Sequence, residues 1–527
     1  MFPMRWISSS VAVSFVGALL SAADFDLLVR NGRVVDGSGN PWFRADVGVR
    51  AGKIAAVGRL GDKTADRTID AAGRVVAPGF IDVHTHVEAV VEKVPRGDNF
   101  LLDGVTTIVT GNCGGSKVEL AEWFGKLDSL GLGLNLATLI GHNSVRSSVM
   151  GAANRAATSD EVAKMQALVE TAMRDGAVGF STGLIYIPGT YSNTEEVVAL
   201  AKAAARHGGV YASHMRDEGE RITEAIDEAV RVGREAGMRV EISHFKIDNA
   251  KLWGASVRSI EQVERYRREG VDVVVDQYPY DHSSTNLGIT LPSWALADGR
   301  AAVLERLRAP ETRARIKREM LELLERKGLK DYAYATVASF EPDRSLEGKT
   351  ISAINTAQGR APTIDNEAET ILDIIDKGMP SMVYHSMSMD DVERIIRYPN
   401  TAVASDGGIR EFGEGVPHPR SYGTNARVLA ELVRARGIIS LEDAIRRMTS
   451  LPARTFGLAD RGMVREGHAA DLVIFDLARV EDKATYQSPH QYTEGFDHVL
   501  VNGVAMVDDG KLVEARGGRV LRHGPVE

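Results

Sequence analysis

His84, His86, Cys113, His214, His244 and Asp406 each close a short apolar run in this chain. Their types suit metal-assisted hydrolysis. Imidazole nitrogen and thiolate sulfur are good ligands for Zn2+, and a carboxylate beside them can take a proton from water and return it to a leaving group. In His84-Thr85-His86 both imidazoles point to one side of a strand, because strand side chains alternate with a period of two. Each residue has an ordinary alternative: a lone histidine as a satisfied polar group, Cys113 beside Gly114 and Gly115 as a buried thiol, Asp406 as a pin for the loop "SDGG". Their joint placement favours the metal.

That placement requires a frame. From about 77 to 450, buried-type strands alternate with amphipathic helices, the pattern of a parallel α/β fold. The strands read "GFIDVHTH", "VTTIVTG", "LNLATLIG", "AVGFSTG", "GVYASHM", "MRVEISHF", "VDVVVDQYP" and "TAVASDG", eight in all. Helical stretches such as "SDEVAKMQALVETAMRDG" and "ERITEAIDEAVRVGREAG" separate them, each with a basic residue near its end and a closing glycine. A (β/α)8 TIM-like barrel follows, and such barrels gather reactive groups at the C-terminal ends of their strands. The six candidates fall at five of those ends. More than a hundred residues separate the seventh and eighth strands, too many for a plain crossover. The charged stretch "ADGRAAVLERLRAPETRARIKREMLELLERKG" therefore predicts an inserted, partly helical subdomain at 288–350 that lies over the barrel mouth.

The two ends of the chain look alike and unlike the middle. Residues 24–76 and 451–527 carry short alternating β-runs broken by Asn-Gly and Asp-Gly turns, which predicts one small β-sandwich built from both termini. Ahead of it, Met1–Ala23 has Arg5, the apolar run from Trp6 to Leu20 and then Ser21-Ala22-Ala23. That is the order of a cleaved signal peptide, and the expectation is a secreted or periplasmic bacterial protein. The alternative is an over-extended start, with Met4 or a later residue as the true beginning and a cytoplasmic location. The run is short and carries three consecutive serines, so no stable membrane anchor is expected.

At 527 residues the chain calls for one large domain and a smaller companion. A formal charge of -9 without a long basic run argues against nucleic acid and for a small-molecule substrate. A single cysteine excludes an internal disulfide and any multi-cysteine zinc cluster. Nothing in the sequence sets an oligomeric state.

The motifs "APGFIDVHTH", "GNCGGS", "SHMRDEG", "ISHFK", "QYPY", "ASDGG" and "HPRSYGT" resemble the D-aminoacylase (N-acyl-D-amino-acid deacylase) family of the amidohydrolase superfamily over nearly the whole chain after residue 23. The cysteine after the second strand is the most specific mark. The resemblance implies zinc-dependent hydrolysis of the amide bond of N-acyl-D-amino acids. It implies that Cys113, His214 and His244 hold a tight zinc, with His84 and His86 at a second, weaker metal position sharing Cys113. Asp406 matches the catalytic acid/base, and Lys246, Tyr278 and Arg420 match positions that hold the substrate carboxylate, with Tyr280 able to replace Tyr278. An arginine suits that task because it binds a carboxylate with two prongs; an ordinary salt bridge is the plain alternative for Lys246 and Arg420. His142 and Arg216, also near strand ends, are read either as support or as substrate contacts. Hydantoinase-like and urease-like relatives bridge two metals with a lysine after the fourth strand, and "GAVGFSTGLIYIPG" has none. A dipeptidase acting before a C-terminal D-residue cleaves the same kind of bond. A deaminase uses a similar ligand set, and a non-catalytic scaffold would have lost ligands that this chain retains.

Overall fold

In the first β-run, Leu27 and Val29 face one way and their neighbours the other, and the fold uses both faces. A computed structural model describes residues 23–524; the leader expected over Met1–Ala23 lies outside the described residues except for Ala23. Strand Phe25–Val34 pairs antiparallel with Phe43–Arg50 and parallel with Ala65–Asp70 and Val75–Pro78. Val75–Pro78 then pairs antiparallel with Leu472–Phe475, so strands from both ends of the chain share one sheet. Period-two alternation divides its faces. Val76, Leu472 and Ile474 join Leu27, Val29 and Val47 in a core of the sheet's own, whereas Val75, Ala77, Val473 and Phe475 join the larger core. The Asn-Gly and Asp-Gly turns appear as expected: Asn502-Gly503 and Asp509-Gly510 all have positive φ, the condition for a tight two-residue hairpin turn.

The middle of the chain forms the barrel. Its strands are Phe80–Asp82, Val105–Thr110, Asn135–Thr138 continuing at Ile140–Gly141, Gly179–Gly183, Val210–His214, Val240–Ile242, Val273–Gln277 and Thr401–Val403. Each pairs in parallel with the next. The third strand bends at Leu139, pairing with the second before the bend and the fourth after it. Closure of the eighth strand on the first relies on a parallel bridge between Thr85 and Gly407. Asp82 reinforces it, its Oδ1 accepting from the backbone N–H groups of His84 (3.2 Å) and Ser405 (3.0 Å). Helix Ser159–Asp175 shows why the intervening segments are helical: Thr158 and Glu161 form a capping box at its start, and Gly176 takes a left-handed conformation at its end.

After the seventh strand the chain leaves the barrel through strand His282–Asn286 and returns through Ser381–His385, which pair antiparallel with each other. Ala335–Ser339 completes a three-stranded sheet, and helices Arg300–Arg308, Pro310–Arg326 and Ile364–Lys377 pack on it around a core of their own, from Leu287 to Tyr384. This inserted unit is wider than the 288–350 expected, because its first and last strands are partners a hundred residues apart in sequence. No described helix is long and apolar enough to cross a membrane.

Candidate active site

Short apolar strands end in the barrel mouth and hand over to polar loops, and the ligand-type residues stand at that junction. His214 ends its strand, while His84, Cys113, His244 and Asp406 lie just beyond theirs. Cys113 Sγ is at the centre, 3.3 Å from His84 Nε2, 3.5 Å from His214 Nδ1 and 3.5 Å from His244 Nε2. Two triads with ligand atoms within 4.8 Å of one another share that sulfur: Cys113 with His214 and His244, and Cys113 with His84 and His86. His84, His244 and Asp406 form a third. Cys113, His244 and Asp406 all have positive φ, a costly choice for residues with a side chain, and three such cases at one centre mark a site where the surrounding structure enforces the geometry.

The donor set fits a zinc ion. Burial opposes ionisation of Cys113, but the neighbouring His84 and His244 and hydrogen bonds from His214 and His244 lower its thiol well below the ordinary range, so sulfur is available as thiolate. Imidazole tautomers are fixed from behind. His84 Nδ1 donates to Asp276 Oδ2 at 3.0 Å, leaving Nε2 to face the centre. His244 Nδ1 lies 3.0 Å from Glu218 Oε1, leaving its Nε2 toward Cys113. Carboxylates behind metal-binding histidines orient the rings and raise their basicity. Sequence reasoning missed Asp276 and Glu218, since in "VDQYP" and "HMRDEG" they look like ordinary acidic residues.

Asp406 joins the metal ligands to the substrate side of the mouth. Its Oδ1 is 3.1 Å from His86 Nε2 and 3.6 Å from His84 Nε2, and its Oδ2 is 2.9 Å from Arg420 Nη2. Burial pushes its pKa up, but the Arg420 cation and then His84 and the His86 hydrogen bond outweigh that and hold the carboxyl well below its usual value. Arg420 lies over the Tyr278 ring at 4.6 Å. Arg420 Nη1 and the Tyr278 hydroxyl are both buried without a hydrogen-bond partner. Tyr280 is instead committed to Asp482 (3.2 Å) and Arg427.

Lys246 differs from the expectation of a carboxylate anchor. It is buried, and Nζ donates to Glu218 Oε1 (2.6 Å) and to the His244 carbonyl (3.2 Å), with the His244 ring beside it, so the cation is held by Glu218 and the His244 backbone. His142 and Arg216 are each paired with a carboxylate of their own. His142 Nε2 shares Glu196 with Arg146 at 2.8 Å, and Arg216 holds Glu228 through two bonds of 2.9 Å. His418, in the "HPRSYGT" motif, accepts from the Arg420 backbone N–H (3.0 Å) and donates to the His282 carbonyl (3.0 Å), so it sets the start of the Arg420 helix. Tyr186, after the fourth strand, was also missed: its ring stands 4.6 Å from that of His214. Burial and the Cys113 charge raise its phenol well above the ordinary value, which keeps it protonated.

Comparison with known proteins agrees with this geometry. The model of the amidohydrolase family matches residues 67–507. The chain is 34% identical to the D-aminoacylase of Alcaligenes xylosoxydans xylosoxydans, covering 94% of this chain and 97% of that one. The chain belongs to the amidohydrolase family. Within it, the N-acyl-D-glutamate deacylase of the same organism is also 34% identical, with 94% and 96% covered. A crystal structure of N-acyl-D-glutamate deacylase from Bordetella bronchiseptica, complexed with zinc and a phosphonate inhibitor that mimics the tetrahedral intermediate, is 33% identical and superimposes with a TM-score of 0.80 over 94% of this chain and 99% of that one. The protein is thus a metal-dependent amidohydrolase with a barrel of that family. No lysine follows its fourth strand; a Cβ at Gly183 would fall 2.1 Å from the Cys113 carbonyl oxygen, so the cysteine loop lies against the end of that strand.

Proposed function

We propose that this amidohydrolase hydrolyses the amide bond of N-acyl-D-amino acids, releasing a carboxylate and a D-amino acid. One observation carries the reading: the Cys113, His214 and His244 ligand set is joined through Asp406 to the two orphaned donors, Arg420 Nη1 and Tyr278 OH. A free α-carboxylate satisfies both donors at once, and a bidentate, charge-assisted contact to arginine is the strongest available there. The relatives' activities, D-aminoacylase and N-acyl-D-glutamate deacylase, support the D configuration.

Cys113, His214 and His244 would hold a zinc ion, with His84 and His86 beside a second position, and a zinc bound there would polarise the carbonyl and lower the pKa of water from ~15.7 toward ~7. The chain's own residues do the rest. Asp406 Oδ1 faces the ligands and accepts the proton of the attacking water, and the same oxygen then delivers it to the leaving nitrogen. Arg420 keeps Oδ2 in place and the carboxyl ionised at rest. The protonated Tyr186 phenol is suited to donate to the oxyanion of the tetrahedral intermediate. Lys246, paired with Glu218 beside the His244 ring, orients both. Asp406→Asn should keep its zinc and lose about 10²–10⁴ in kcat; turnover near wild type with zinc bound contradicts the role.

A dipeptide ending in a D-residue presents the same carboxylate and amide. Its ammonium would need an unpaired carboxylate at the mouth, and Asp406, Glu218 and Asp248 are paired with Arg420, Lys246 and Lys327. That favours the simple acyl group. The order of residues in Met1–Ala23 supports export, and a mature chain beginning at Asp24, read by N-terminal sequencing, is the expected result.

A further inference from the structure

In "VPHPRSYGT" two prolines flank His418, a residue to which the reaction gives no part. A proline fixes its own φ and keeps the residue before it extended, so the backbone that carries this buried ring is stiff. Nδ1 accepts from the Arg420 backbone N–H and Nε2 donates to the His282 carbonyl, each at 3.0 Å. Only the neutral ring with its proton on Nε2 makes both bonds. Burial and then the Arg420 cation hold the imidazole well below the ordinary histidine value, so that form persists. Helix Arg420–Arg427 has no side-chain cap from Pro419, and the ring supplies the acceptor that its first turn needs.

The two bonds join distant parts of the chain. At one end is Arg420, which holds Asp406 and lies over the Tyr278 ring. At the other is His282, which opens the strand by which the chain leaves the barrel and pairs with His385, where it returns. This neck of the inserted unit is firmly tied. Asp281 Oδ1 accepts from His282 Nδ1 (2.6 Å) and from the Tyr486 hydroxyl (2.8 Å), and the Asp281 carbonyl accepts from the backbone N–H groups of Ser386 (3.3 Å) and Met387 (3.0 Å). The His418 ring stands edge-on to Tyr280 at 5.2 Å and to Tyr486 at 5.3 Å, with Tyr278 at 6.2 Å. A further contact runs from Arg420 Nη2 to the Ser284 carbonyl at 3.5 Å. Both the backbone and the side chain of Arg420 are thus referred to the neck.

Resting on the deacylase reading, we propose that His418 is a positioning residue: its ring ties Arg420 to the neck of the inserted unit and so sets where the substrate carboxylate binds. The two ring nitrogens can be tested apart. Asparagine places its amide at the Nδ1 position and keeps an acceptor for Arg420, whereas glutamine reaches the Nε2 position and keeps a donor for His282. A ring that did no more than start the helix would leave His418→Asn silent. The proposal requires both bonds. With zinc-loaded full chain, His418→Asn and His418→Gln should each raise KM for N-acetyl-D-leucine about tenfold, the effect of one lost bond to a charged group, while kcat stays within about threefold. Zinc affinity, read by chelator competition, should not change. The loss should follow the carboxylate: kcat/KM for N-acetyl-D-leucinamide, which lacks it, should fall less than about twofold. A KM within about twofold of wild type in either variant, equal losses on the two substrates, or loss of zinc in place of the KM effect would overturn the proposal. Hydrolysis of N-acetyl-D-leucine by the wild type would still stand for the deacylase reading, and its absence would overturn both. Where one variant does not accumulate, the other decides on the same measures.

Discussion

Cys113 shows how much of a residue's chemistry comes from its neighbours. Alone it is a half-buried thiol beside two glycines, but three imidazole nitrogens within 3.5 Å lower its pKa and suit it to bind a metal as thiolate. The carboxylates behind the rings should matter almost as much. Glu218→Gln and Asp276→Asn are each expected to weaken zinc binding about 10–100-fold, measured by chelator competition; unchanged affinity would remove them from the site's architecture. Tyr278→Phe should raise KM for an N-acyl-D-amino acid about tenfold through loss of one bond to a charged group. The convergence of the candidate ligands and Asp406 was legible in the sequence because histidine, cysteine and aspartate recur where strands stop. Their partners were not: which acidic residue lies behind which ring depends on contacts between strands, as between His84 and Asp276, that no local spacing encodes. The commitment of Lys246 to Glu218 was hidden for the same reason.

Among the elements, the barrel strands were legible and the inserted unit only partly so. Apolar runs alternating with capped amphipathic helices identify parallel strands from local pattern, whereas "HSSTN", the first strand of the insertion, has no apolar alternation and finds its partner only at residues 381–385. The fourth strand carries a strict requirement at its end. Gly183→Val would drive a side chain into the Cys113 carbonyl, and the expected result is a protein that loses zinc or fails to accumulate. Helix Ser159–Asp175 offers a pH test. Hydrogen bonds from Arg155 and then from the Thr158 backbone lower Glu161 from an ordinary 4.5 to about 2. The stabilisation is complete above pH 4.5 and is lost as pH falls through 2. Glu161→Ala should therefore lower Tm at pH 7, and thermal melts should show the difference shrinking between pH 4.5 and 2.

At the scale of the molecule, the shared terminal sheet and the barrel are held as one body by aromatic contacts. Phe475 lies 6.5 Å from Phe80 of the first barrel strand and 5.7 Å from Phe496. Phe475→Ala is expected to cost about 3–5 kcal/mol of unfolding free energy, the usual penalty for a large buried ring; denaturant titration measures it. The sheet joins strands from both ends of the chain, and the inserted unit keeps a core of its own. On the proposed function, one metal centre built on Cys113, His214 and His244 cleaves the amide of N-acyl-D-amino acids. The direct test is a zinc titration of metal-free protein with N-acetyl-D- and N-acetyl-L-leucine as paired substrates, beside Cys113→Ser. The expected result is D-selective hydrolysis that appears with the first equivalent of zinc and is lost in the variant. Hydrolysis without zinc, preference for the L-substrate, or full activity in Cys113→Ser would contradict it.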